Sequence, residues 1–206
     1  MNPTVIITGH SYGLGAALAA AWLETGACVI GLARSNNAAL AATHPGQLHE
    51  TAIDLADPPA VLAYTRSDAF RHICQEADTL WLFNNAGTVA PSAPLGAQVD
   101  DDITHALNLN ITAPLLLANA TVAHARDRER VRIVHISSGA ARKPYPGWSI
   151  YGASKAALDR HAADAAAEGV RIVSLAPGVV DTAMQAGMRN DAAFPLREQF
   201  AALHAD

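Results

Sequence analysis

The sequence predicts one α/β domain, a doubly wound parallel sheet with helices on both faces, and three observations predict it. Strand-like and helix-like stretches alternate from the first residues onwards. The strand-like stretches are apolar on both faces. No linker, repeat or low-complexity segment divides the chain of 206 residues. Half of the residues are hydrophobic and 16% are charged, which suits a substantial buried core.

The elements follow in order. Thr4-Val5-Ile6-Ile7 is a β-branched run and opens the first strand. A glycine cluster comes next, then an alanine-rich helical stretch, Ala16 to Glu24. Gly26 punctuates before the second strand, Cys28 to Leu32. Further strands are expected at Leu48 to Ile53, Thr79 to Phe83, Val131 to Ile136 and Arg171 to Leu175. None alternates apolar with polar residues, so each should be covered on both faces, as in a parallel sheet. Helical patterns fill the intervals, notably Asp100 to Ala125 and Tyr151 to Glu168. Right-handed crossovers would join the strands.

Composition excludes several function classes. A net charge of −5 leaves no basic footprint for nucleic acid. The one dense charge run, Arg126-Asp127-Arg128-Glu129-Arg130, mixes signs and reads as a solvated helix end. Cys28 and Cys74 alone make neither a disulfide framework nor a zinc site, which points to a reducing compartment. The chain enters a strand at once, without a signal-peptide pattern, and no apolar run is expected to cross a membrane. A soluble, cytoplasmic protein is the expectation. Nine histidines invite a metal, yet His44, His49, His105, His124 and His161 are scattered and no metal site is predicted. His10 either sits near the phosphates or simply occupies a variable slot of the glycine cluster, and His135 is expected to be a satisfied core histidine.

The glycine cluster carries the first functional signal. Thr8-Gly9-His10-Ser11-Tyr12-Gly13-Leu14-Gly15 joins the first strand to the first helix. Glycines there permit a tight turn and close backbone approach to a pyrophosphate, while the helix N-terminus offers free N–H groups. Three spaced glycines between a first strand and its helix mark a Rossmann-type dinucleotide site. The second strand ends Gly31-Leu32-Ala33-Arg34-Ser35. A carboxylate there would suit the ribose hydroxyls of NAD and repel a 2′-phosphate. Arg34, with the Ser35 hydroxyl beside it, favours NADP(H) over NAD(H).

The second signal is catalytic. Tyr151 and Lys155 stand four residues apart on one face of a helix. A free tyrosine has a pKa of about 10, and a nearby ammonium group would lower it. Ser138 closes the preceding strand, thirteen residues before Tyr151. A strand end and a helix start can bring both hydroxyls to one carbonyl group.

These motifs together resemble the short-chain dehydrogenase/reductase family over essentially the whole chain. The glycine cluster is similar to that family's TGxxxGxG, Tyr151 and Lys155 to its YxxxK, and Ser138 to its catalytic serine. Asn84-Asn85-Ala86-Gly87 resembles the NNAG segment, Asp54-Leu55 the acidic motif at the adenine ring, and Asn110 the helix asparagine of the tetrad. Pro177-Gly178, followed by Val180 and Thr182, resembles the segment that holds the nicotinamide end. The resemblance implies a catalytic set of Asn110, Ser138, Tyr151 and Lys155. It implies a cofactor site made of Gly9, Ser11, Tyr12, Gly13, Leu14, Gly15, Arg34, Ser35, Asp54, Leu55, Asn85, Ala86, Gly87, Tyr151, Lys155, Pro177, Gly178, Val180 and Thr182. Within the family, Pro144-Tyr145-Pro146-Gly147-Trp148 and the run from Ala176 to Gln185 look like sepiapterin reductase and the bacterial benzil reductases, NADPH-dependent carbonyl reductases. Tyr145 and Trp148 either wall the substrate pocket or pack a loop.

The implied chemistry is reduction of a ketone to an alcohol. Tyr151 would donate a proton to the developing alkoxide. Ser138 would hold the carbonyl oxygen, Lys155 would lower the tyrosine pKa and bind the nicotinamide ribose, and Asn110 would support a water linking Lys155 to solvent. Other readings are an NAD(P)-dependent alcohol dehydrogenase working oxidatively and a non-catalytic dinucleotide-binding redox sensor. A sugar-nucleotide epimerase is disfavoured for want of a substrate domain.

Three further expectations come from the resemblance. Residues 1–206 would form one dinucleotide-binding catalytic domain, with about 183–206 as a substrate lid, including a helix from Leu196 to His204. The family's usual last strand is apparently lacking, which would leave Arg171 to Leu175 at a sheet edge, and many NADP-dependent relatives carry a basic residue where Tyr12 stands. A homodimer or homotetramer is expected through the two long helices, with Leu115-Leu116-Leu117 and the alanines from Ala156 to Ala167 suited to the contact. The partner would be a small carbonyl or alcohol substrate, with no nucleic acid and no membrane.

Overall fold

A computed structural model describes residues 2–178. Val180, Thr182 and the expected lid lie outside the described residues. Six parallel strands form one sheet: β1 (Thr4–Thr8), β2 (Cys28–Ala33), β3 (Leu48–Ala52), β4 (Leu80–Asn84), β5 (Val131–Ile136) and β6 (Ile172–Leu175), in the order β3-β2-β1-β4-β5-β6. The helices are α1 (Gly13–Glu24), α2 (Ala38–Thr43), α3 (Pro58–Thr65), α4 (Asp68–Glu76), α5 (Asp100–Leu107), α6 (Ala113–His124) and α7 (Ser149–Ala167).

Each face of the sheet has its own core, which is why the strands read as continuously apolar. Val5, Ile7, Val29, Phe83 and Val134 point to one face and pack against Ala19 and Leu23 of α1. There Trp22 meets Trp81 with ring centroids 5.3 Å apart. Ile6, Ile30, Leu82 and Ile133 point to the other face, against Val61 of α3, Phe70 of α4 and Leu117 of α6. Adjacent residues of β1 thus serve opposite layers, and Val5, Ile6 and Ile7 are all fully buried. Full burial of such side chains contributes roughly 1.5–3 kcal/mol each.

The predicted helix from Asp100 to Ala125 departs from a regular α-helix. Asn108–Thr112 forms a π-helical turn between α5 and α6. Pro114 explains the break: it has no N–H to donate to the Asn110 carbonyl four residues earlier. The stretch Asp100–His124 has a mean hydropathy of 1.3, so by length and composition it could cross a membrane, contrary to the sequence expectation. It opens with three aspartates and packs on α3, β4, β5 and α7 as a core helix. Of the three leucines expected at an outer contact, Leu117 is core, while Leu115 and Leu116 are half-buried.

Strand order reverses between β1 and β4, so their carboxyl ends part and leave a crevice above the sheet. Among the described residues β6 is an edge strand, and Val173 and Leu175 stand exposed on it.

Candidate active site

The crevice is a cleft of about 630 Å³ that runs from Arg34 to Tyr151. At its centre lies the turn between β1 and α1. Gly9 and Gly13 have positive φ, 69° and 58°, which favour glycine. Gly15 faces the turn so closely that a Cβ there would overlap the Gly9 carbonyl oxygen. Gly15→Ala is therefore expected to lower the melting temperature and abolish coenzyme binding together, as thermal unfolding and a fluorescence titration would show. Helix α1 begins with no side-chain cap and no acidic residue in its first turn. Its free N–H groups and positive dipole end thus lie open to the cleft, where Ser11, Tyr12 and Leu14 also line it.

The β4 end is tied to this turn. Thr8 Oγ1 accepts the backbone N–H groups of Asn85 and Ala86 at 2.8 and 2.9 Å. Asn85 Nδ2 donates to the Thr8 carbonyl at 2.9 Å. Gly87 keeps the cleft open: a Cβ there would stand 3.2 Å from Asn110 Oδ1 and 3.5 Å from Lys155 Nζ. At one end of the cleft lie exposed Arg34 and Ser35, with Asp54 and Leu55 beside them. Arg34 makes no ion pair among the described residues, whereas Asp54 Oδ1 accepts the Ala56 N–H at 2.9 Å and Leu55 belongs to the core. Pro177 and Gly178 line the other side. These glycine, N–H and cationic groups fit a dinucleotide phosphate chain.

The predicted catalytic residues meet at the far end. Ser138 follows β5, and its Oγ accepts the Ala140 N–H at 3.2 Å, which fixes the hydroxyl over a short 3₁₀ turn. Tyr151 and Lys155 occupy the first turns of α7, both buried. Lys155 Nζ donates to the Ile136 carbonyl at 2.7 Å and lies 5.7 Å from the Tyr151 ring centroid. Burial pushes the Lys155 pKa down to about 8, while the Asp159 carboxylate one turn on pulls it back up. Asp159 is itself held by Arg142 at 3.1 Å and by the Ser174 hydroxyl at 2.6 Å.

One expectation is corrected here. The Tyr151 pKa is raised, not lowered: burial disfavours the phenolate, and the Ser138 hydroxyl offsets only part of this. Lys155 does not figure among the causes of the Tyr151 shift. The Asn110 amide joins two neighbouring segments. Its Oδ1 accepts the Thr88 N–H at 2.9 Å, and its Nδ2 donates to the Thr88 carbonyl at 2.8 Å and to Ser154 Oγ at 3.2 Å.

Further residues line or brace the cleft. Tyr145 and Trp148 both line the cleft, and Trp148 packs edge-on to Tyr151 with ring centroids 5.3 Å apart. His105 and Leu109 line it too, although the sequence reading had dismissed His105 as scattered. Thr88 and Ser154, the partners of Asn110, carried no sequence signal. His135 is buried and satisfied, with Nδ1 3.1 Å from Asn84 Nδ2 and Nε2 3.0 Å from His161 Nδ1. Burial, His161 and Lys155 push its pKa down to about 3, so it stays neutral. His10 does not simply fill a variable slot. It is buried on Gly31 with Nε2 2.7 Å from Glu50 Oε1.

Comparison with known proteins agrees with this geometry. The family model for short chain dehydrogenase matches residues 3–193. A benzil reductase ((S)-benzoin forming) of Bacillus cereus is 34% identical over 203 residues, covering 91% of this chain and 80% of the relative. A sepiapterin reductase of Meriones unguiculatus is 33% identical over 196 residues, covering 87% and 75%. The crystal structure of a short-chain dehydrogenase/reductase from Burkholderia vietnamiensis superposes with a TM-score of 0.83 at 44% identity, covering 93% of each chain. The chain belongs to the short-chain dehydrogenase family, oxidoreductases that act on alcohol and carbonyl groups with a nicotinamide dinucleotide.

Proposed function

We propose that the protein is an NADPH-dependent carbonyl reductase with Tyr151 as its general acid. One observation carries this reading: a single cleft joins an exposed arginine, without an ion pair among the described residues, at one end to a buried tyrosine and lysine and a half-buried serine at the other. The bound nicotinamide would supply the hydride. Arg34 would hold a 2′-phosphate by charge-assisted hydrogen bonds, with the Ser35 hydroxyl beside it. The Ser138 hydroxyl would donate to the substrate carbonyl oxygen, where negative charge builds as the bond is reduced.

The raised Tyr151 pKa supports the reductive direction, because a phenol kept protonated at neutral pH can give its proton to the new alkoxide. Lys155, cationic below about pH 8, would stabilise the phenolate left behind. Asn110 would brace the Thr88 and Ser154 segments on either side of Lys155. Tyr145 and Trp148 give the substrate end an aromatic wall, suited to a ketone bearing a planar or aromatic group. We further read residues 1–206 as one catalytic domain acting in the reducing cytoplasm. It would form a homodimer or homotetramer through α5–α6 and α7, with the substrate pocket closed by about 183–206.

Equilibrium titration of the purified protein with NADPH and NADH tests the coenzyme. Wild-type protein should bind NADPH more tightly, and Arg34→Ala should weaken NADPH about 10- to 100-fold, as loss of hydrogen bonds to a charged group does, while NADH hardly changes. Equal affinity for both coenzymes, unaltered in Arg34→Ala, would overturn the NADPH assignment.

A further inference from the structure

His10 and Glu50 lie 40 residues apart in sequence, and the parallel register brings them together. Gly31 of β2 is level with Glu50 of β3. The His10 ring lies on Gly31, where any Cβ would overlap it, and only glycine leaves this space. His10 is 1% exposed and the Glu50 side chain 10%, so the pair is largely shielded from water. A single carboxylate oxygen, Glu50 Oε1, gathers two partners. His10 Nε2 lies 2.7 Å from it, and the Asn37 backbone N–H donates to it at 2.6 Å.

Those partners belong to the two halves of the nucleotide end of the cleft. His10 sits inside the glycine turn, between Gly9 and Ser11. Asn37 ends the segment Arg34–Asn37, where the 2′-phosphate would lie, and its own Oδ1 accepts the Leu40 N–H at 3.1 Å to start α2. A second, exposed link runs in parallel, from the Ser35 hydroxyl to Ser11 Oγ at 3.3 Å. The glycine turn serves any dinucleotide, whereas the Arg34–Asn37 segment matters only to a coenzyme that carries the extra phosphate.

We propose that Glu50, through His10 and Asn37, is a positioning residue that sets coenzyme discrimination. It fixes the Arg34–Asn37 segment against the glycine turn, so that the arginine and the turn grip one nucleotide. Glu50 touches no coenzyme itself. This rests on the reading that a dinucleotide lies along the cleft with its adenosine end at Arg34.

The location of the oxygen, rather than the charge, should matter. Gln Oε1 can accept both N–H bonds from the same place. Asp keeps the charge but falls one methylene short. The experiment is a fluorescence titration of wild type, Glu50→Ala, Glu50→Asp and Glu50→Gln with NADPH and with NADH, circular dichroism being recorded for each. Glu50→Ala and Glu50→Asp should weaken NADPH about tenfold and NADH less than twofold, so the ratio of the two affinities falls. Glu50→Gln should restore the wild-type ratio. Should Glu50→Ala fail to fold, the comparison of Asp with Gln decides alone. A ratio unaltered in Asp, equal losses for both coenzymes, or a loss in Gln that Asp does not share would overturn the proposal. The wild-type ratio separately tests the NADPH reading: protein that prefers NADH sinks that reading, yet the change of ratio between variants still decides the role of Glu50.

Discussion

Tyr151→Phe should lose at least about a thousandfold in turnover, within the range that a positioned general acid contributes, while binding NADPH as wild type does. On the proposed reading the phenol proton quenches the substrate alkoxide. Its raised pKa keeps it available across the neutral range. Nothing else changes much in the variant. The ring keeps its edge-on packing with Trp148, at 5.3 Å between centroids. Removing a buried hydroxyl alters stability by no more than about 1 kcal/mol, the net value of an ordinary hydrogen bond. Steady-state turnover on an activated diketone, set beside a coenzyme titration, separates the two effects. A Phe variant that turns over at the wild-type rate would remove Tyr151 from the chemistry and leave Ser138 as the candidate donor.

Lys155→Met should go the opposite way in stability and the same way in activity. The lysine is 4% exposed, and burial lowers its pKa from the ordinary 10.5 to about 8. Between those two values the folded protein binds fewer protons than the unfolded chain, so stability rises with pH across that window. Below pH 8 the full cost of burying the charge is present, on the order of 3 kcal/mol at 1.36 kcal/mol per pK unit. Met keeps the length and apolar stem of the side chain and drops the charge. It also strands the Ile136 carbonyl, now bonded at 2.7 Å, which costs about 1–3 kcal/mol. The net expectation is a variant melting a few degrees higher than wild type at pH 7, with the gap narrowing as pH is raised towards 10. Its turnover should fall about a hundredfold or more, since the phenolate loses its neighbouring cation. A variant less stable than wild type at pH 7 would show that Asp159 and the Ile136 carbonyl compensate the buried charge fully.

Much of the site was legible because it is local. The glycine turn, Tyr151 with Lys155, and Ser138 at a strand end are short patterns whose spacing follows from helix and strand periodicity. Arg34 was legible for the same reason, as the residue that ends β2 at the crevice. Composition also carried the sheet, since strands covered on both faces leave no polar alternation.

What failed was non-local. His10 looked like a filler because its partner Glu50 is 40 residues away and meets it only through the β2–β3 register. Asn110 was singled out by resemblance, but its partners Thr88 and Ser154 come from a loop and another helix. The sign of the Tyr151 shift could not be read from an i,i+4 spacing. That sign depends on how much water the fold removes from the phenol.

The sequence by itself thus determined the family and the parallel sheet and singled out the candidate reacting groups, because these rest on local propensity and fixed spacing. Only the tertiary structure decided which charges are buried, which hydrogen bonds engage Asn110 and Glu50, and that Tyr151 stays protonated. Desolvation and register arise only when distant segments pack together.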